Sequence, residues 1–278
     1  MGKRQPTNQV RVMGVINTTP DSFSDGGKFD TTEKALRYAM QLIDDGVDIL
    51  DIGGESTRPG SQNVDASEEL ARTIPLIQAI RKESDVQISI DTNKPVVMQQ
   101  AVAEGANLIN SIWALRQDDV LAVAAQSGAA VCLMHMQGTP ETMQQNPCYD
   151  DVVSEVIEYL RQRIEAAVEA GIARENIIVD PGFGFGKTLQ HNLLLLKSLA
   201  QLKALDVPLL VGLSRKSMIG TILNKPVDQR LYGSISTAVI AAMQGADIIR
   251  VHDVAQTIDA LAIVDAVNGV QTQQREMQ

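Results

Sequence analysis

Aromatic side chains are scarce in this chain of 278 residues: Phe, Tyr and Trp together make up 3% of it, while 44% is hydrophobic. Its core is therefore expected to be aliphatic. Cysteine is scarcer still, with Cys132 and Cys148 at no metal-binding spacing. Cys132 falls in an apolar run and reads as a small buried hydrophobe, so no disulfide framework is expected. The three histidines lie far apart and none belongs to a His-Glu-x-x-His motif, which argues against a zinc hydrolase. Positive charge is in deficit: 24 Lys and Arg against 34 Asp and Glu give −10. Such a chain is a poor general nucleic-acid binder, and any anionic ligand needs a local cluster of cations. No run approaches the roughly 18 apolar residues of a membrane span, and the polar N-terminus lacks a signal-peptide core. A cytoplasmic protein with no membrane or nucleic-acid partner is the expectation.

What is present is a regular alternation. Short β-branched runs at 10–16, 47–52, 86–90, 108–112, 129–134, 177–179, 208–212 and 247–251 are the strand candidates. They lack clean alternation, which suits strands covered on both faces. Helical spacing marks 31–45, with Asp30 as N-cap, and 65–84, in which Pro75 predicts a kink or break. Further helices are read at 95–104, 119–127, 150–170, 192–204, 233–244 and 255–269. Eight βα units without a composition break predict an α/β fold, a (β/α)8 TIM barrel, as a single domain over residues 1–278. A doubly wound open sheet is the alternative. The tail from about Gln271 reads as frayed.

In such a barrel the active site is built from the loops after the strand C-termini. Those positions are polar here: Asn17, Asp51, Asp91, Asn110, His135, Asp180, the stretch GLSRKS at 212–217, and Arg250 with His252. Arg250 and His252 are two apart, so in extended chain they share a side. Arg58, Arg215 and Lys216 add cations at the same rim, and this clustering in an acidic chain points to a phosphorylated or pyrophosphorylated ligand. Taken singly, the signals are ordinary. A strand-end carboxylate is usually a helix cap, His135 reads as a satisfied structural histidine, and His191 as a cap or packing residue of the sixth helix. DPGFGFGKT at 180–188 invites a nucleotide-loop reading, but the Walker pattern would place its first glycine at Pro181, which has no amide proton. The dinucleotide fingerprint fails as well, because Lys187 stands at its last glycine.

Laid out in order, NTTPDSFSDGG, DIGGESTRPG, IDTNKP, LMHMQGTP, DPGFGFGKT, GLSRKS and RVHDV closely resemble the signatures of the dihydropteroate synthase family over roughly residues 10 to 268. The resemblance implies a homodimeric (β/α)8 barrel of folate biosynthesis, a sulfonamide target. It implies condensation of (7,8-dihydropterin-6-yl)methyl diphosphate with 4-aminobenzoate to 7,8-dihydropteroate and pyrophosphate. Carried over residue by residue, Asp180, Asn110 and Asp91 would read the pterin, with Lys216 on its ring beside Ser217. Arg250, His252, Asn17 and Thr57 would hold the diphosphate, Asn17 also contacting Mg2+. Phe185 would wall the aminobenzoate site, and the first two βα loops, with Phe23, Asp25, Thr57, Arg58 and Pro59, would close over it. Catalysis would fall to Arg250, His252, Lys216 and Asp91. The chain departs from the family at Ser111, where aspartate is usual, and at Thr18, where an apolar residue is common. A pterin-binding methyltransferase domain is the nearest alternative, though STRPG and SRKS speak against it. A non-catalytic pterin-binding protein is a further one.

Overall fold

A computed structural model describes residues 9–18, 28–55, 64–140 and 142–269. Phe23, Asp25, Thr57, Arg58 and Pro59 lie outside the described residues, as does the tail from Gln271. In chain order the elements are β1 (Arg11–Asn17), α1 (Lys28–Asp44), β2 (Ile49–Gly53), α2 (Ala66–Glu83), β3 (Gln87–Asp91), α3 (Pro95–Ala103), β4 (Leu108–Ser111) and α4 (Asp118–Ser127). They continue as β5 (Ala130–Met134), α5 (Val152–Glu169), β6 (Ile177–Asp180), α6 (Leu189–Lys197), β7 (Leu210–Val211), α7 (Ser217–Leu223), α8 (Leu231–Met243), β8 (Ile248–Val251) and α9 (Val254–Asn268). All strands pair in parallel in the order β6-β5-β4-β3-β2-β1-β8-β7. A parallel bridge from Val179 to Leu209 joins β6 to β7 and closes the ring. The (β/α)8 TIM barrel is thus the observed fold, and the open sheet is set aside.

Alternation, hidden in the sequence, is plain in the packing. On β8, Ile249 and Val251 face the helices in the main core, whereas Ile248 joins Met13, Ile49, Leu108, Cys132, Ile178 and Leu210 in a separate cluster. That second cluster is the apolar floor inside the barrel. Both faces of each strand are buried, so the amino-acid pattern reads as a continuous apolar run. Above the floor the inward positions turn polar: Asp51, Asn110, Asp180 and Arg250 each stand two residues after a floor residue, and Asp91 stands two after Ser89. At the opposite end short polar residues cap the strands. Asp48 accepts from the Val12 amide at 2.7 Å, Asn107 from Ile88 at 3.1 Å and Asp247 from Leu209 at 2.8 Å.

Several boundaries differ from the sequence expectation. Asp30 lies inside α1, not at its cap. Helix α2 begins after Asp65, whose carboxylate accepts from the Glu68 amide at 2.8 Å, and runs unbroken through Pro75. The expected break is absent because α2 packs Leu76, Ile77 and Ile80 fully into the core around that residue. The helix expected at 192–204 is two pieces, α6 and a 3-10 helix at Leu199–Leu205, divided at Ser198. A short helix, α7, was not anticipated; it follows GLSRKS directly. No helix among the described residues is long and apolar enough to cross a membrane.

Candidate active site

The C-terminal mouth of the barrel is organised by one arginine between two acids. Arg250 donates from Nε to Asp51 Oδ2 at 2.6 Å and from Nη2 to Asp91 Oδ2 at 2.9 Å. Asn110, buried on β4, donates from Nδ2 to Asp51 Oδ2 at 3.3 Å. Burial, and next the charge of Asp51, push the Asp91 carboxyl up to about 7 despite Arg250. For Arg250 burial opposes the charge, yet Asp51 and Asp91 outweigh it and its pKa is raised. Four residues from β2, β3, β4 and β8 thus form a single polar network at the inner wall.

Asp180 enters from β6. It is buried, and its Oδ1 accepts the Gly182 amide proton at 2.7 Å. Burial raises its pKa, while the Gly182 bond, Lys216 and Arg250 lower it in part. Lys216 lies just before α7 with its ammonium 4.3 Å from the centroid of the Phe185 ring. Burial, and then Arg250, bring Lys216 down to about 8. Asp91, Asn110, Asp180, Lys216, Phe185 and Arg250 are accordingly brought together in one mouth. Ser217 is exposed as the first residue of α7. His252 follows β8 and shares a hydrogen bond between Nδ1 and Ser214 Oγ at 3.0 Å. Asn17 ends β1, half-buried, opposite Gly53 of β2.

The glycine-rich stretch after β6 is a packing device. Gly182, Gly184 and Gly186 all have positive φ. A Cβ on Gly182 would stand 1.9 Å from the His135 carbonyl oxygen, and one on Gly186 2.7 Å from that of Gln137. These glycines let the β6 loop lie against the β5 loop. Gly182→Ala is therefore expected to destabilise the protein by about 3 kcal/mol or more, measured by urea unfolding, because left-handed backbone and overpacking act together. The Lys-Thr pair divides its labour. Thr188 caps α6 by accepting from the His191 amide at 3.1 Å, and His191 Nδ1 accepts from Thr188 in return. Lys187 is buried and places all three ammonium donors, on His135 Nδ1 at 2.8 Å, Gly182 O at 3.0 Å and Phe185 O at 3.1 Å. Burial and next Lys187 hold His135 neutral, with a pKa near 2, in keeping with its structural reading.

Two expectations need correction or refinement. Arg215 does not join the cations of the mouth: its guanidinium is bound to Asp253 at 2.5 and 3.1 Å. A carboxylate just beyond β8 neutralises it, which the spacing of GLSRKS could not show. Ser111, in place of the usual aspartate, faces away from Asn110 and bonds Asn93 Oδ1 at 3.0 Å and the Leu115 amide at 3.3 Å. It anchors the turn after β4 without touching the polar network. Sequence reasoning placed Asp51 at the mouth without giving it a partner, and gave no role to Lys187. An acid between Leu50 and Ile52 was the available signal for the first; for the second, whose partner is 52 residues away, there was none.

The foot of the second βα loop is also fixed. Lys94 bridges Glu55 at 2.5 Å and the buried Glu69 of α2 at 2.6 Å, while Glu55 accepts from the Val64 amide at 3.2 Å. The two described ends of that loop are so tied together.

Residues 13–252, which carry this mouth, match a family model described as "Pterin binding enzyme". The chain is 52% identical to the dihydropteroate synthase of Escherichia coli strain K12 over 255 residues, 92% of this chain and 90% of that one. Among solved structures, the Yersinia pestis dihydropteroate synthase in complex with a sulfonamide drug superposes with a TM-score of 0.90 at 49% identity, covering 94% of this chain and 95% of that one. The Xanthomonas albilineans enzyme in complex with 7,8-dihydropteroate gives 0.87 at 45% identity, with 96% and 97% covered. The chain belongs to the dihydropteroate synthase family of pterin binding enzymes.

Proposed function

We propose that this barrel condenses (7,8-dihydropterin-6-yl)methyl diphosphate with 4-aminobenzoate, releasing pyrophosphate and forming 7,8-dihydropteroate. The observation that carries the reading is the meeting of Asp180, Asn110 and Asp91 with Arg250 and Lys216 in one mouth. A pterin edge offers N–H donors, and buried acids accept them; a diphosphate needs cations. Aminobenzoate-dependent release of pyrophosphate tests the reading. Pterin binding without release would favour a non-catalytic binding protein. A methyltransferase is disfavoured by the family relationship of the whole chain.

The step is SN1-like. The bond from the pterin methylene carbon to the diphosphate oxygen breaks, its electron pair leaving with pyrophosphate, and the electron-rich dihydropterin spreads the positive charge. The aniline nitrogen then forms the C–N bond and loses a proton to solvent. Arg250 and His252 stabilise charge on the leaving group, while Lys216 and Phe185 border the approach of the arylamine. Asn17 fits Mg2+: the ion is hard and oxygen-seeking, and Asn17 offers an amide oxygen at a strand end. Bound there, Mg2+ would offset negative charge on the diphosphate. Phe23, Asp25, Thr57, Arg58 and Pro59 are proposed to complete the site from the first two loops.

The mouth sets a pH dependence. Below about pH 7 Asp91 takes a proton and loses its capacity as an ionised acceptor; above about 8 Lys216 loses its charge. Thus kcat/KM for the pterin diphosphate should trace a narrow bell with limbs near these values. Asp91→Asn should abolish the acid limb and Lys216→Met the alkaline one; a flat profile from pH 6 to 9 contradicts both assignments.

A homodimer is further supported by exposed apolar residues on consecutive helices, Ile222 on α7, Tyr232, Ile240 and Met243 on α8, and Ile263 and Val267 on α9. Sedimentation as a monomer would contradict it. The chain is proposed to work as one barrel domain in the cytoplasm, where its two free cysteines stay reduced.

A further inference from the structure

Asp51 has no ligand in the reaction just described, yet it is fully buried at the centre of the polar mouth. Its Oδ2 accepts from Arg250 Nε at 2.6 Å and from Asn110 Nδ2 at 3.3 Å, and its Oδ1 lies 3.5 Å from the same Nδ2. An ionised carboxylate can only accept. Asn110 therefore turns its Nδ2 toward Asp51, which leaves its oxygen out of that contact and available to a ligand's donor. Left alone, an amide presents either end with nearly the same shape. The guanidinium of Arg250 is restrained by the same carboxylate, with Nε on Asp51 while Nη2 is on Asp91.

We infer that Asp51 is a positioning residue with two linked effects: it fixes Asn110 as an acceptor toward the pterin, and it tempers the pull of Arg250 on the diphosphate. The inference rests on the pterin and diphosphate reading above and deepens it. Asp51→Asn alters both effects in opposite directions. Without an obligate acceptor beside it, Asn110 is free to present its donor end to the N–H groups of the pterin. With one carboxylate fewer facing Arg250, an anion competes for that guanidinium more easily.

Isothermal calorimetry on the full chain, with 6-hydroxymethyl-dihydropterin and with inorganic pyrophosphate separately, reads these effects without turnover. In Asp51→Asn the pterin should bind about 10- to 100-fold more weakly. Pyrophosphate should bind about 3- to 10-fold more tightly. General loss of stability weakens both ligands together, so opposed shifts are specific to positioning. Asp51→Ser, whose hydroxyl still lets a water hydrate the two donors, should shift both ligands in the same directions. The inference is overturned if both affinities stay within about twofold of wild type. It is equally overturned if both fall together, or if neither variant yields a folded barrel, which would make Asp51 a residue of the fold alone. A wild-type protein that binds both ligands but never joins pterin to aminobenzoate would instead overturn the proposed reaction, leaving these affinities to judge Asp51 separately.

Discussion

Replacing Arg250 with alanine should lower kcat/KM for the pterin diphosphate by roughly three orders of magnitude, about 3–5 kcal/mol of transition-state stabilisation. Two losses combine. The leaving diphosphate loses a charge-assisted donor, and Asp51 and Asp91 lose the cation that lies between them, 2.6 and 2.9 Å away. Asp51 is fully buried, so an uncompensated pair of carboxylates there is costly. The variant also carries a pH signature. Arg250 lowers the Asp91 pKa from what burial and Asp51 would impose, so without it the acid limb should move above about 7. Arg250→Lys keeps the charge but cannot hold two carboxylates in one plane, and should recover little. Steady-state kinetics from pH 6 to 9 check all of this. Near-normal kinetics in Arg250→Ala would remove the residue from the proposed chemistry.

Asp180→Asn should be nearly as severe, with kcat/KM reduced by about 3–4 kcal/mol, roughly 10²- to 10³-fold. The size follows from which atom faces the ligand. The Gly182 amide donates to Oδ1 at 2.7 Å, and in a buried loop that proton continues to need an acceptor. An asparagine would satisfy it with its oxygen, which turns its NH2 toward the pterin. A donor then meets the donors of the amino-pyrimidinone edge. KM for the pterin diphosphate should rise sharply while KM for 4-aminobenzoate changes little. The melting temperature should stay close to wild type, since the Gly182 bond survives. A large loss of stability with unchanged pterin affinity would assign Asp180 to loop structure and not to recognition.

The barrel was legible because its eight βα units repeat without a break, and because strand ends such as Asp91, Asp180 and Arg250 are polar where strand middles are not. Periodicity failed where burial is two-sided: no alternation marks β8 or β2, since Ile249 and Val251 meet helices while Ile248 meets the barrel floor. Local rules placed the start of α1 too late, at Asp30, and at Pro75 the break did not occur because the packing of α2 outweighs one missing amide. Arg215 looked like a free cation, for sequence distance conceals its pairing with Asp253. DPGFGFGKT was the most informative stretch and the easiest to misread. Its glycines make room for the β5 loop, its lysine locks that loop to His135, its threonine starts α6, and Asp180 faces the mouth.

Incubating the full chain with (7,8-dihydropterin-6-yl)methyl diphosphate, Mg2+ and 4-aminobenzoate, and quantifying products by mass spectrometry, tests most directly whether this barrel mouth joins the two substrates. Equal amounts of 7,8-dihydropteroate and pyrophosphate are expected, both lost when the aminobenzoate is omitted. Pyrophosphate appearing without dihydropteroate, or neither product from a protein that binds the pterin, would contradict it.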